Sequence, residues 1–225
     1  MLLKDREIDI LTTVSHLRFM TTQQIHAIHG YSGKHGDNVT RRLLKQLVDN
    51  GLLKSWQPDK YSSKIFYLTK AGAKEVEFYH GYDNVRTFQK SNQTLHHVLV
   101  TEAYVQLRRA DGGKVRRFAI HAKVGEIEAD SFVEYQMGKT IKLLFLEVDR
   151  ATETLHAIKE KLDHYKAVYD AGGYQKKFGV FPTVCFITTT DARQRSLWRV
   201  LNTYPYRSKV VTEKELRTNP RDLIE

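Results

Sequence analysis

Two acidic side chains stand at the end of an apolar segment in the middle of the chain. Residues 141–149 read Ile-Lys-Leu-Leu-Phe-Leu-Glu-Val-Asp, which is typical of a buried strand, yet Glu147 and Asp149 follow its apolar part. A second strand-like segment, residues 126–135, carries Asp130. Carboxylates are costly to bury unless a positive charge or hydrogen bonds compensate them. The face that carries them is therefore either solvated or occupied by something positive, such as a divalent cation or a lysine.

A hairpin turn is expected between these two segments, because Gly138 lies in the polar stretch that joins them. Side chains on one face of a strand repeat every two residues, so this register would gather four carboxylates on one face. Oxygen-rich acidic clusters suit Mg²⁺ or Mn²⁺. A register shifted by one residue would turn half of the set to the other face, and a solvated acidic hairpin is the alternative. The expected pairs are Asp130 with Glu147, Phe132 with Phe145, and Glu128 with Asp149.

The composition favours a polyanionic partner. The 225 residues include 36 Lys and Arg against 26 Asp and Glu, a formal net charge of +10, and 41% apolar residues that can form a core. Charge alone leaves DNA, RNA and anionic membranes open. No apolar run has the length of a membrane helix and the first residues lack a signal-peptide core, so a cytoplasmic location without a membrane partner is the default expectation. The lone Cys185 lies in an apolar strand-like segment and is expected to be inert.

Alternating helix and turn signals mark the N-terminal third. A first helix is expected from about Lys4 to His16, and Thr21 with Gln24 forms a capping box for a second helix that ends near Gly30. Residues 37–51 predict a third helix with one apolar side. Two short β-prone segments then flank a polar, basic tip, and another helix follows. The two segments are residues 52–57 and 65–69.

This arrangement resembles a winged helix-turn-helix domain over about the first 80 residues, with the third helix in the recognition position. Arg and Asn on such a helix can read bases in the major groove, and a basic wing can contact phosphates or the minor groove. A solvated basic face, or a winged helix that contacts protein, is the alternative. The candidate DNA-binding residues are Lys34, Asn38, Arg41, Arg42, Lys45, Lys60, Tyr61 and Lys64.

The remaining chain predicts a second domain. We expect a winged helix domain at 1–81, a poorly patterned polar linker at 82–93, and a domain at 94–225 whose elements follow the order α-β-β-β-α-β-α-β. That order indicates an α/β domain with a mixed sheet, so the whole chain is expected to be α+β.

The second domain resembles the restriction-endonuclease-like nuclease superfamily, because Asp130 precedes a hairpin and Glu147 ends the next strand. The resemblance implies that Asp130 and Glu147 hold Mg²⁺ and that a lysine two residues after the second acid positions or activates water. Here Asp149 occupies that lysine position, so Lys159 or Lys161 on the following helix would have to replace it, and Glu102 would be an additional acid. Alternatively the site is inactive and the domain is retained for binding. The candidate catalytic residues are Asp130, Glu147, Asp149, Lys159 and Lys161.

Most of the chain is similar to the replication-relaxation family, chiefly through Leu-Glu-Val-Asp-Arg-Ala-Thr-Glu at 146–153 and Lys-Leu-Asp-His-Tyr at 161–165. The resemblance implies a protein of a plasmid or other mobile element that binds double-stranded DNA and acts in replication or DNA relaxation. A transcriptional regulator with an inert dimerisation domain and a Mg²⁺-dependent nuclease or nickase are the alternatives. Winged-helix proteins often read paired half-sites, so a homodimer is expected.

Overall fold

The computed structural model describes residues 3–30 and 35–225. The chain divides into two compact units, one that ends at Val105 and one from Gln106 to Glu225. The boundary falls inside helix α5, Thr94–Arg109.

The first unit contains helices on a small antiparallel sheet. Its elements before α5 are α1 (Asp5–Leu17), β1 (Met20–Thr21), α2 (Thr22–His29), α3 (Gly36–Asp49), β2 (Leu53–Trp56), β3 (Ile65–Leu68) and α4 (Lys70–His80). The three strands are arranged in the order β1-β3-β2. This order of helices and hairpin is compatible with a winged helix-turn-helix. Sequence patterns did not predict β1, since a two-residue strand is too short to show periodicity.

Local signals fix where α2 begins. The Thr21 hydroxyl accepts a hydrogen bond from the Gln24 backbone N–H, and the Gln24 side chain accepts one from the Thr21 N–H. This reciprocal pair is the predicted capping box, which satisfies two backbone donors at a helix start.

The first part of α5 packs on the first unit. The buried hydroxyl of Thr101 donates to the carbonyls of Leu17 and Phe19, at 3.2 and 3.0 Å. The Gln24 amide donates to the Val98 carbonyl at 3.0 Å and to Glu102 at 2.7 Å. The boundary between the units therefore lies after Val105, whereas the sequence led us to expect the second domain from residue 94. No local pattern encodes these contacts, because the paired residues are far apart in the chain.

The second unit is built on a five-stranded mixed sheet. The strand order is β4-β5-β6-β7-β8, with antiparallel pairing from β4 to β6 and parallel pairing from β6 to β8. The predicted α+β class and mixed sheet are thus confirmed. Helices α7 and α9 were not predicted, since each has only six residues. The elements are β4 (Gly113–Val124), β5 (Ile127–Met137), β6 (Thr140–Asp149), α6 (Leu155–Ala171), α7 (Gly173–Phe178), β7 (Thr183–Thr188), α8 (Asp191–Leu201), β8 (Ser208–Thr212), α9 (Glu213–Thr218) and a 3₁₀ helix (Pro220–Leu223).

The β5-β6 hairpin has the predicted register. Gly138 takes a positive φ of 55° in the turn, and Phe132 pairs with Phe145. The ladder extends to the pair Ser131 and Leu146, so Asp130 and Glu147 are the next residues in the same register. Because β6 and β7 are parallel, the residues that follow both strands lie at one edge of the sheet.

Helices α6 and α8 cover the sheet face that carries Phe132 and Phe145, in a core shared with Leu162 and Leu197. Within the described ranges, no helix combines the length and the apolar character needed to cross a membrane.

Candidate functional site

Glu147 is the buried centre of a hydrogen-bonded group in the second unit. Its side chain is only 1% exposed. The Tyr165 hydroxyl donates to Oε1 at 2.6 Å, and the Lys161 ammonium donates to Oε2 at 3.0 Å. Both carboxyl oxygens thus have a donor from α6. Lys161 therefore supplies one compensating positive charge at this carboxylate.

Asp130 is the second acid at this centre. Its Oδ2 accepts a hydrogen bond from the Val148 backbone N–H at 2.7 Å, which anchors the carboxylate beside the end of β6. Its negative charge also helps to raise the pKa of Glu147. The two acids are therefore close enough to interact electrostatically, as the predicted register requires.

Burial controls the ionisation of this group. Desolvation raises the pKa of Glu147 to about 7, although Lys161 opposes the shift and Tyr165 adds a hydrogen bond that also opposes it. Burial by itself would lower the pKa of Lys161, but the nearby carboxylates of Glu147 and Glu153 raise it above its ordinary value. Burial also raises the pKa of Tyr165 well above its usual range, so its hydroxyl remains a donor. The carboxyl of Glu147 consequently titrates near neutral pH.

Helical spacing explains why Lys161, and not Lys159, reaches the acids. The Thr154 hydroxyl caps α6 by accepting a bond from Ala157 N–H at 3.1 Å. Positions 158, 161, 162 and 165 then share one side of the helix, as the i, i+3, i+4, i+7 pattern dictates. Lys159 lies about 200° from Lys161 around the helix axis and is exposed. Of the two candidate lysines, α6 brings Lys161 to Glu147.

Asp149 has a different partner from the other acids. It is buried, and its Oδ2 accepts from Arg193 Nε at 2.5 Å while Oδ1 accepts from the Ala151 N–H at 2.9 Å. Arg193 also donates to the Glu153 carbonyl at 2.7 Å. These contacts hold the end of β6 against the first turn of α8, so Asp149 connects the strand to that helix.

The predicted patch of four carboxylates is not formed. Glu128 is exposed and pairs with His121, whereas Asp149 is buried against Arg193. Within residues 3–30 and 35–225, no group of three or more His, Cys, Asp or Glu side chains is arranged to hold a metal ion. The error arose because the register was extended past the end of the β5-β6 ladder. Glu102, the additional candidate acid, accepts a hydrogen bond from Gln24 in the first unit.

The chemistry of Asp130 and Glu147 still fits Mg²⁺ or Mn²⁺. Mg²⁺ commonly takes one or two protein carboxylates and completes its shell with water and substrate phosphates. Carboxylate ligands must be ionised, and the pKa of Glu147 near 7 makes that ionisation accessible at slightly alkaline pH. The donor set is thus suitable in type, with two acids from adjacent strands.

A basic surface in the first unit holds the candidate DNA-binding residues of α3. Asn38, Arg41, Arg42 and Lys45 are all exposed, while Leu44 and Leu47 on the other side are buried. Lys45 also forms an ion pair with Asp49 at 2.5 Å. The arginine side of α3 therefore faces outward from its own unit. Lys34, another candidate, lies outside the described residues.

The tip between β2 and β3 borders the same surface. Lys60, Tyr61 and Lys64 are exposed, Tyr61 to 86%. The Lys60 ammonium lies 4.8 Å from the Tyr61 ring centre. A groove of about 580 Å³ separates the hairpin from α3, and Arg41, Lys45 and Lys64 are among its lining residues. Arg41 and Lys45 of the helix and Lys64 of the hairpin thus line one concave surface.

Sequence reasoning missed two residues that complete the acidic centre. Tyr165 falls among the apolar positions of α6, although its i+4 spacing from Lys161 places both on one face. Arg193 follows the cap of α8, and the parallel pairing of Asp149 with Thr188 brings that helix start to the end of β6. The position of Tyr165 therefore has a local signal in the sequence. The position of Arg193 beside Asp149 depends on the order of the strands.

Comparisons with known proteins place the chain in a family. A search of curated proteins gave no significant match. Two solved structures of the restriction endonuclease FokI, one free and one bound to DNA, are similar with TM-scores of 0.40 and 0.36 and 10% identity. Each alignment covers 95% of this chain but only 42% and 43% of FokI, so this chain spans less than half of that protein's length. The replication-relaxation family model matches residues 11–184, more than half of the sequence, and the chain therefore belongs to the replication-relaxation family.

Proposed function

We propose that this protein binds double-stranded DNA of a plasmid or other mobile element and acts in DNA replication or relaxation, or in its control. The observation that carries the proposal is the concave basic surface between α3 and the β2-β3 hairpin. Membership of the replication-relaxation family supports it. A cytoplasmic location is part of the same proposal.

The chemistry of this surface suits a duplex. Arginine pairs with guanine through two hydrogen bonds in the major groove, and asparagine pairs with adenine in the same way. Arg41, Arg42 and Asn38 are exposed on one helix, which has the width that the major groove admits. Lys60 and Lys64 at the hairpin tip are positioned to contact phosphates, which give affinity without sequence information.

Alanine at Arg41 or Arg42 should reduce discrimination between the natural site and unrelated DNA by about 1–3 kcal/mol, because a base contact is lost. Mobility-shift titration of both variants against the two DNAs measures this difference. Arg86→Ala is the matched control, since Arg86 is an exposed arginine of the first unit that is not part of α3. Wild-type discrimination in both α3 variants would refute the recognition role of this helix.

A second candidate function, Mg²⁺-dependent cleavage of DNA, is favoured by the contact between Lys161 and Glu147. In the nuclease resemblance, two acids and a lysine form the site, and Lys161 of α6 would replace the lysine that the resemblance expects at position 149. We propose that Asp130 and Glu147 hold the metal ion, which when bound polarises the phosphate and its attacking water. Lys161 would orient that water or stabilise negative charge, and Tyr165 would hold the Glu147 carboxylate in place.

Incubation of supercoiled plasmid with the protein tests the nuclease. We expect nicks that require Mg²⁺ and disappear in Asp130→Ala and Lys161→Ala, while Lys159→Ala keeps wild-type rates because that side chain lies off the site. Nicking that continues without Mg²⁺ or in Asp130→Ala would exclude this centre. A footprint without strand breaks would instead favour an initiator or a transcriptional regulator whose second unit is inert.

A further inference from the structure

A cavity in the second unit lies between the sheet and helices α6 and α7. Its volume is about 810 Å³, within the range of small-molecule sites. Apolar side chains of Phe132, Phe145 and Val168 line it, and Tyr174 and Phe178 of α7 lie along its side. Its lining includes neither Asp130 nor Glu147 nor any residue of α3.

Aromatic rings form a platform at the cavity. The Tyr174 ring packs edge-on against Phe145, with centroids 5.3 Å apart, and is stacked with Phe178 at 6.0 Å. Phe178 remains 38% exposed, so its ring is accessible from solvent. Exposed aromatic faces beside a cavity are suited to stacking with a planar ligand.

Positive charge surrounds this platform. Arg117, Lys123 and Lys177 line the cavity against one acid, Glu126, which gives an excess of 3 − 1 = 2 positive charges among them. The Arg117 guanidinium lies 5.7 Å from the Phe132 ring centre and forms a long ion pair, 3.7 Å, with Glu134. The Lys177 ammonium lies 5.0 Å from the Phe178 ring centre. A ligand that is planar at one end and anionic at the other matches this combination.

The cavity adjoins the acidic centre along three elements. Phe132 follows Asp130 by two residues on β5, and Phe145 precedes Glu147 by two residues on β6, which is about 6.6 Å along a strand. His164, which lines the cavity, follows Lys161 by three residues on α6 and so lies on the same side of that helix. A molecule in the cavity would therefore lie beside Asp130 and Glu147.

We propose that this cavity binds a nucleotide, with the base stacked on Tyr174 and Phe178 and the phosphate held by Arg117 and Lys177. The same chemistry is offered by a free nucleotide and by one unit of a single strand. This site is separate from the duplex-binding surface of the first unit and does not depend on it.

Binding of a labelled oligothymidylate to the full chain, followed by fluorescence anisotropy, tests the proposal. We expect Arg117→Ala and Lys177→Ala each to weaken binding by about tenfold, the effect of one lost charged contact. Arg116→Ala and Lys176→Ala are matched controls, since each removes an adjacent exposed cation that does not line the cavity. Lys177→Arg should retain binding.

The aromatic platform is tested in the same assay. Phe178→Ala should weaken binding by about tenfold through loss of stacking, whereas Phe78→Ala, which removes a phenyl ring 89% exposed on α4, should not. Competition by thymidine monophosphate supports a free nucleotide as the ligand, and binding of the oligonucleotide without such competition supports a single strand.

Two results would overturn the proposal. One is an absence of binding by both probes, or equal losses in the cavity variants and their controls. The other is an equal loss of single-strand and duplex affinity in Arg117→Ala. Arg41→Ala should lower duplex affinity alone, so failure of this proposal is distinguishable from failure of the proposed duplex binding.

Discussion

At the scale of single residues, the Glu147 carboxyl is the group whose chemistry depends most on its surroundings. Its two oxygens accept from Tyr165 and Lys161, yet burial keeps its pKa near 7. A buried carboxyl with a partner ammonium and a pKa close to ambient pH is the kind of group that active sites use. The structural alternative is a buried ion pair that specifies the packing of α6 on the sheet.

Glu147→Gln should change how stability depends on pH. The folded-state pKa of about 7 lies above the ordinary 4.5, so between these values the folded chain keeps a proton that the unfolded chain has lost. The contribution of the protonated Glu147 carboxyl to the free energy of unfolding is fully present below pH 4.5 and is lost as the pH rises through 7. Glutamine cannot ionise, so the unfolding free energy of the variant relative to wild type should rise by about 2–4 kcal/mol over this window.

Urea denaturation in EDTA at a series of pH values measures the difference, and EDTA removes any contribution from bound metal. Glu128→Gln is the control, because Glu128 is an exposed acid of the same hairpin. Parallel stability profiles for wild type and Glu147→Gln would show that Glu147 titrates as an ordinary carboxyl.

At the scale of elements, the sequence did not indicate that the first part of α5 packs in the first unit. The sequence predicted a helix as the first element of the domain that begins at residue 94, and α5 spans Thr94–Arg109. Its first part nevertheless belongs to the first unit, because Thr101 donates to the carbonyls of Leu17 at the end of α1 and of Phe19 just after it, and Glu102 accepts from Gln24 of α2. Residues 82–93 form no helix or strand, as expected of the predicted linker.

Thr101→Val should destabilise the first unit by about 1–3 kcal/mol, because buried carbonyls lose a donor while the side chain keeps its shape. Hydrogen exchange should show faster exchange in α1 and α2. Thr218→Val removes an exposed hydroxyl that donates to the Lys214 carbonyl of the second unit, and should leave the first unit unchanged. Unaltered exchange in Thr101→Val would show that these hydrogen bonds do not hold α5 on the first unit.

At the scale of the whole molecule, a net charge of +10 supports association with DNA. The oligomeric state determines whether the protein binds one DNA half-site or two. We propose a homodimer that reads two half-sites. Footprinting should then protect two similar half-sites whose centres lie about 34–36 Å apart or a multiple of that spacing. Light scattering of the free protein gives its mass independently. A single unsymmetrical footprint from a monomeric protein would contradict the dimer.

The sequence by itself determined the order of the longer elements, the capping box of α2 and the hairpin register around Gly138. These features depend on residues close together in the chain, whose helical or strand periodicity is visible in the order of side chains. The exposure of Arg41 and Arg42 follows in the same way from the apolar pattern of α3.

Only the tertiary structure decided which lysine meets Glu147, that Asp149 pairs with Arg193, and that Glu128 lies apart with His121. It also decided that burial, rather than a cluster of four acids, raises the pKa of Glu147 to about 7. The physical reason is that desolvation and ion pairing act between side chains brought together by strand order and helix packing. Their distances in space are not related to their separation in the sequence.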